Sequence, residues 1–167
     1  MTLHELNTLS KEQLKRELGK CCGSSVWAEK MMPFFPADDM VELLEDAENV
    51  WYDCNEEDWK EAFTHHPKIG DTASLKKKFA STANWASGEQ SGVNTASEKT
   101  IEELAKANRF YEEKFGYIFI VCATGKSAEE MLELLKERLE NDPADEIAIA
   151  AEEQNKITKL RIEKLLS

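Results

Sequence analysis

No apolar run in this 167-residue chain approaches the roughly 20 residues that cross a bilayer. No basic N-terminal stretch precedes an apolar one, and the last residues, Leu165-Leu166-Ser167, lack a Ser-Lys-Leu type of address. The expectation is a soluble protein of the cytosol, without a membrane partner. Basic charge is also scarce. With 21 Lys and Arg against 33 Asp and Glu, the formal charge is −12, which repels phosphate backbones and anionic headgroups, so nucleic acid is excluded as an expected partner. Cysteine is sparse and unpaired in pattern. Cys21, Cys22, Cys54 and Cys122 form no C-x-x-C pair, and no histidine cluster completes a zinc set, so reduced, partly buried thiols and no metal are expected. There is no phosphate-cradling glycine loop, because Gly88-Glu89-Gln90-Ser91-Gly92 lacks the strand and helix that would flank one, and no nucleophile elbow. Repeats, long linkers and low-complexity tracts are absent too.

What is present is helical periodicity almost throughout, in a length and with a 41% apolar content that suit one domain over 1–167. Ser10 with Gln13 makes a capping box ahead of Leu14 and Leu18, with Gly23 as the stop. Ser25 opens a shorter helix with Val26, Trp27 and Met31 before Pro33. A third runs from about Asp38 through Val41, Leu44 and Ala47 toward Trp51, and Asn55 caps a fourth carrying Trp59, Ala62, Phe63 and His66 until Pro67 ends it. A short helix near 72–80 precedes an aliphatic-poor stretch, 81–92, that reads as a loop or broken helix. A long helix from about Ser97 to Phe115 is stopped by Gly116. Tyr117 to Cys122 is an apolar run too short to assign to strand or buried coil. Ser127 with Glu130 starts another helix, and Asp142-Pro143 starts the last, which runs to Leu165. The expected fold is all-α, a single-domain bundle of seven or eight helices.

Two residues break the apolar stripes. His66 falls in phase with Trp59, Ala62 and Phe63, whereas His65 shares its face with Asp58 and Glu61, so His66 points inward. Alone, an inward histidine is more often a core or cap residue than a catalyst. Arg161 lies four residues from both Ile157 and Leu165, where a guanidinium either snorkels outward or finds an anion. In an acidic protein it is the local positive charge that an anionic ligand needs. Glu89 is one carboxylate among 33 acids and carries no signal by itself. Periodicity therefore reaches a helical domain with a candidate His and Arg pocket, and a non-catalytic helical interaction module fits it as well.

Four ordered motifs narrow this reading. His66-Pro67-Lys68-Ile69-Gly70-Asp71, Trp85-Ala86-Ser87-Gly88-Glu89-Gln90, the block from Asn108 to Phe119, and Ile157 to Ile162 resemble, in order, signatures of the 2-oxo-4-hydroxy-4-carboxy-5-ureidoimidazoline (OHCU) decarboxylase family. The resemblance spans nearly the whole chain. It implies an all-helical enzyme, usually a homodimer, that forms (S)-allantoin from a small ureidoimidazoline without metal or organic cofactor. It assigns His66 and Glu89 as catalytic and Arg161, Pro67 and Gln90 as substrate-binding, with the main chain of Phe119, Ile120 and Val121 against the substrate ring. Two positions depart from the family pattern: Ala86 replaces a serine, and Thr124 stands where many relatives have arginine. A related ureide lyase or hydrolase on the same scaffold is the remaining alternative.

Overall fold

The computed structural model describes residues 1–67 and 90–167, without the side chains of 90–97. Every regular element among the described residues is helical: α1 (Leu3–Asn7), α2 (Lys11–Cys21), α3 (Ser25–Met31), α4 (Met40–Asp53), α5 (Glu56–Thr64), α6 (Gln90–Phe115), α7 (Ala128–Leu139) and α8 (Pro143–Leu165), with a 3-10 turn at Met32–Phe34. The expected all-α class holds. None of these helices is long and apolar enough to cross a membrane. The short helix expected near 72–80 lies outside the described residues.

Local signals account for most boundaries. Ser10 and Gln13 form the reciprocal capping box ahead of α2, and Asn55 and Asp58 do the same for α5, each pair satisfying two amides that a helix start leaves open. Ser127 accepts from the Glu130 amide at the start of α7. Gly116 stops α6 at φ 81°, a left-handed conformation that costs a Cβ-bearing residue energy. Four expectations are corrected. The cap of α3 is Ser24, not Ser25, whose N–H and hydroxyl instead both go to Glu61. The buried stripe of α4 is Leu43, Ala47, Val50 and Trp51, leaving Val41 67% exposed. Helix α6 begins at Gln90 rather than near Ser97, because adding turns to an existing helix costs little even where no apolar period marks them. Gly23 is not a left-handed cap, since α2 ends through extended Cys22; its hydrogen makes room for His65, whose Cβ would lie 2.5 Å from any added methyl group.

The chain divides into two compact units. The first comprises Met1–His66, Ile120–Cys122 and Ile147–Ser167. Its core gathers Leu6, Leu18, Trp27, Met31, Leu43, Trp51 and Phe63, together with Ala150 and Ala151 of α8. Each buried indole finds an acceptor, Trp27 on the Ala47 carbonyl at 3.0 Å and Trp51 on that of Ala151 at 2.8 Å, so burial strands no N–H. The alanines of α8 let the second ring approach the helix backbone. The other unit comprises Pro67–Phe119 and Ala123–Glu146. There α6 packs on α7, and Ile101, Leu104 and Tyr111 of one helix and Met131, Leu132 and Leu135 of the other are buried. The run after Gly116 is coil, which resolves Tyr117 to Cys122 as irregular backbone rather than strand.

Candidate active site

Within the first unit, α8 carries an unusual buried face. Glu153, Gln154, Asn155 and Thr158 are all polar and at most 9% exposed, in phase with the apolar Ile147, Ala150, Ala151 and Ile162. Polar groups at such depth are stable only when hydrogen-bonded, and their partners define the site. The Gln154 side-chain oxygen meets His66 Nε2, and its amide nitrogen donates to Thr158 Oγ1 at 3.0 Å. The half-buried His66 directly follows the C-cap of α5, where the chain leaves the helix before Pro67.

The same helix presents Arg161. It lies seven residues after Gln154, which returns it to nearly the same side of α8 about 10 Å further along the axis. Its Nη1 donates to the Cys21 carbonyl at 3.4 Å, at the C-terminal, partially negative end of α2. Among the described residues no carboxylate pairs with this half-buried guanidinium. Of the two fates open to an arginine on this stripe, snorkelling or meeting an anion, it takes neither outright, because its one described bond is to a neutral carbonyl.

The segment Ile120–Cys122 completes this side. Cys122 N–H donates to Glu153 at 3.2 Å, which ties the irregular backbone to the residue next to Gln154, and Ile120 is buried while Val121 is half-buried. Four of the sequence-selected residues, His66, Arg161, Ile120 and Val121, thus fall in one unit, and three contacts from α8 organise them. Pro67, exposed, and Phe119, half-buried, belong to the other unit. Gln90 is the first residue of α6 with its side chain outside the described residues, and Glu89 and Ala86 lie outside them altogether.

The thiols near α8 are electrostatically quiet. All four cysteines are free. Burial pushes Cys22 up to about 12 and Cys21 to about 11, with Arg161 offsetting part of each shift, so both remain protonated and unreactive near neutrality. Among the described residues no three His, Cys, Asp or Glu side chains gather to hold a metal ion.

Sequence reasoning missed two groups. Gln154 is one, although a glutamine and a threonine on the alanine stripe of α8 were a usable signal. Arg138 is the other. It follows Met131 and Leu135 on the core face of α7, pairs with buried Glu146 at 2.7 Å, reaches the Tyr111 hydroxyl at 3.4 Å, and stacks 4.5 Å from the centre of the Phe119 ring. Tyr111 also donates to Glu146 at 3.1 Å, and burial raises its phenol far above the ordinary range. A charged residue at the i+7 position of an apolar stripe was the available sign.

An all-helical domain with a histidine held by a buried glutamine of α8, and an arginine on nearly the same side of that helix, is the class that this fold and site define. The comparisons make the family specific. The model of the family described as OHCU decarboxylase matches residues 7–163. The chain is 44% identical over 150 residues to the uric acid degradation bifunctional protein TTL of Arabidopsis thaliana, covering 88% of this chain and 45% of that protein. It is 28% identical over 173 residues to the 2-oxo-4-hydroxy-4-carboxy-5-ureidoimidazoline decarboxylase of Amia calva, covering 99% of this chain and 95% of that one. Its structure is similar to the crystal structure of an OHCU decarboxylase in the presence of (S)-allantoin, with a TM-score of 0.71 and 40% identity over 90% of this chain and 96% of the other. The chain therefore belongs to the OHCU decarboxylase family. It spans less than half of the plant relative's length.

Proposed function

We propose that this chain decarboxylates OHCU to (S)-allantoin in urate degradation, using no metal or organic cofactor. What carries the reading is the family match over residues 7–163 together with an imidazole held by Gln154 and an arginine seven residues further along α8. The substrate supplies its own electron sink. One ring carbon bears the carboxylate and a hydroxyl, and its neighbour bears the ureido group and an imine-type bond. When the bond to the carboxylate breaks, its electron pair forms a double bond to the neighbouring carbon, the imine pair moves onto nitrogen, and CO₂ leaves. The nitrogen and the ureido-bearing carbon each gain a proton while the hydroxyl gives one up to become a carbonyl, so one proton is taken from solvent overall.

Proton traffic and positioning are then the protein's tasks. His66 exchanges the proton of the ring hydroxyl, because imidazole titrates near neutrality, and Glu89 orients it and balances its charge. Arg161 anchors an anionic or carbonyl edge of the substrate through its planar fork. Its grip on the departing carboxylate must be light, since stabilising the ground state more than the transition state slows the reaction. Pro67, Gln90 and the main chain of Phe119, Ile120 and Val121 are the substrate-binding groups of this reading. The active form is a homodimer in the cytosol, built from one domain over 1–167; sedimentation of the purified protein tests the first point and cell fractionation the second.

The deciding assay generates the unstable substrate in place with urate oxidase and the hydrolase that follows it, and reads circular dichroism. Optically active (S)-allantoin should form faster than spontaneous decay, whose product is racemic. An unchanged racemic rate removes the reading and favours the interaction module.

A further inference from the structure

A histidine that exchanges protons has two chemically distinct nitrogens, and the hydrogen bond made by one decides what the other can do. At His66, Nε2 is paired with Gln154, whose side chain is fully buried and held at both ends. Its amide nitrogen donates to Thr158, 3% exposed, on the next turn. The Thr158 hydroxyl oxygen thus receives the glutamine amide. The Gln154 carbonyl oxygen faces His66 Nε2 at the other end of the same amide. A carbonyl oxygen only accepts, so the hydrogen between these two atoms sits on the ring.

We infer that Gln154 is a positioning residue that locks neutral His66 as the Nε2–H tautomer and routes its proton exchange through Nδ1, whichever group Nδ1 serves. The inference rests on the decarboxylase reading only for its kinetic consequence. An amide suits the task better than a carboxylate. It fixes the proton on Nε2 and the ring angle without adding a further negative charge beside the imidazole. Gln154 is 88 positions away in sequence, and the order Gln154 and Thr158 at i and i+4 supplies the rigid amide that a lone glutamine would lack.

Long-range ¹H–¹⁵N correlation spectra of the ¹⁵N-labelled full chain test this, with the His66 ring assigned by its loss in His66→Gln. The wild type should show the Nε2–H pattern for neutral His66. Gln154→Met keeps length and apolar volume but removes the acceptor; it should give a mixture of tautomers and a turnover about tenfold lower, with KM within a factor of about two. Gln154→Glu restores an acceptor and should restore the Nε2 proton. An Nδ1–H ring in the wild type overturns the lock, as does a Gln154→Met protein with unchanged tautomer and turnover. The wild-type spectrum decides even if a variant fails to fold, and it needs no substrate. An Nε2–H ring in a protein that leaves the substrate untouched keeps the lock and removes the decarboxylase reading, whereas turnover with an Nδ1–H ring does the opposite.

Discussion

Replacing Arg138 by methionine should destabilise the protein more than any change in the proposed active site. Glu146 has no exposed side-chain surface and Arg138 only 8%, so the pair is fully inside. The carboxylate receives Arg138 Nε at 2.7 and 3.1 Å and the Tyr111 hydroxyl at 3.1 Å. In Arg138→Met the phenol alone would remain of these, which cannot balance a buried charge; removing one member of such a pair costs about 3–5 kcal/mol. Loss of the guanidinium's contact with the Phe119 ring adds to this, on the order of 1 kcal/mol. A domain of this kind has a total stability of about 5–15 kcal/mol, so the variant should be marginally folded at room temperature. The pair itself is a different quantity, because its own desolvation is costly. Arg138→Met combined with Glu146→Leu should therefore recover most of the loss. Urea unfolding followed by far-ultraviolet circular dichroism, on both singles and the double, measures the coupling directly. A loss below about 1 kcal/mol in Arg138→Met, or a double variant as unstable as the sum of its singles, would refute the reasoning.

The remaining predictions concern the first unit. His66→Ala should lower turnover by roughly 10²–10⁴-fold with the circular dichroism spectrum unchanged, and near-normal turnover would remove its role. Arg161→Lys keeps the charge and loses the fork, so KM should rise well above any change in kcat; unaltered kinetics count against anchoring. Gly23→Ala places a methyl group 2.5 Å from His65 Cβ, an atom close to the backbone that cannot swing away, and should cost about 1–3 kcal/mol in urea unfolding. The buried thiols predict an alkaline limit. Burial raises Cys21 and Cys54 to about 11 and Cys22 to about 12 from an ordinary value near 9. Their folded pKa values are raised, so the stability they contribute is complete below pH 9 and is lost as pH rises toward 12, where the unfolded chain releases protons that the folded one retains. The urea midpoint should fall between pH 8 and 10.5, and a triple substitution to alanine should flatten that fall.

Helix starts were legible because their chemistry is local. Ser10 with Gln13 and Asn55 with Asp58 bond across three positions, Gly116 needs only its own dihedral angle, and Asp142-Pro143 marks a boundary in two letters. The class of fold followed from the same short-range period. Gly23 shows the limit of that logic, since its place after a helix suggests a cap, while the actual constraint is a histidine 42 positions later in the chain (65 − 23).

The chain order of residues thus determined where helices begin, which faces are apolar, and, through four ordered motifs, which histidine and arginine to examine and which family the chain belongs to. Only tertiary structure decided that Gln154 would hold His66, that the Cys21 carbonyl would take Arg161, and that Arg138 and Glu146 would be buried as a pair. Hydrophobic periodicity specifies a face but not the element that covers it. Which atom meets a buried polar group is settled by packing among segments far apart in sequence, and no local pattern encodes that.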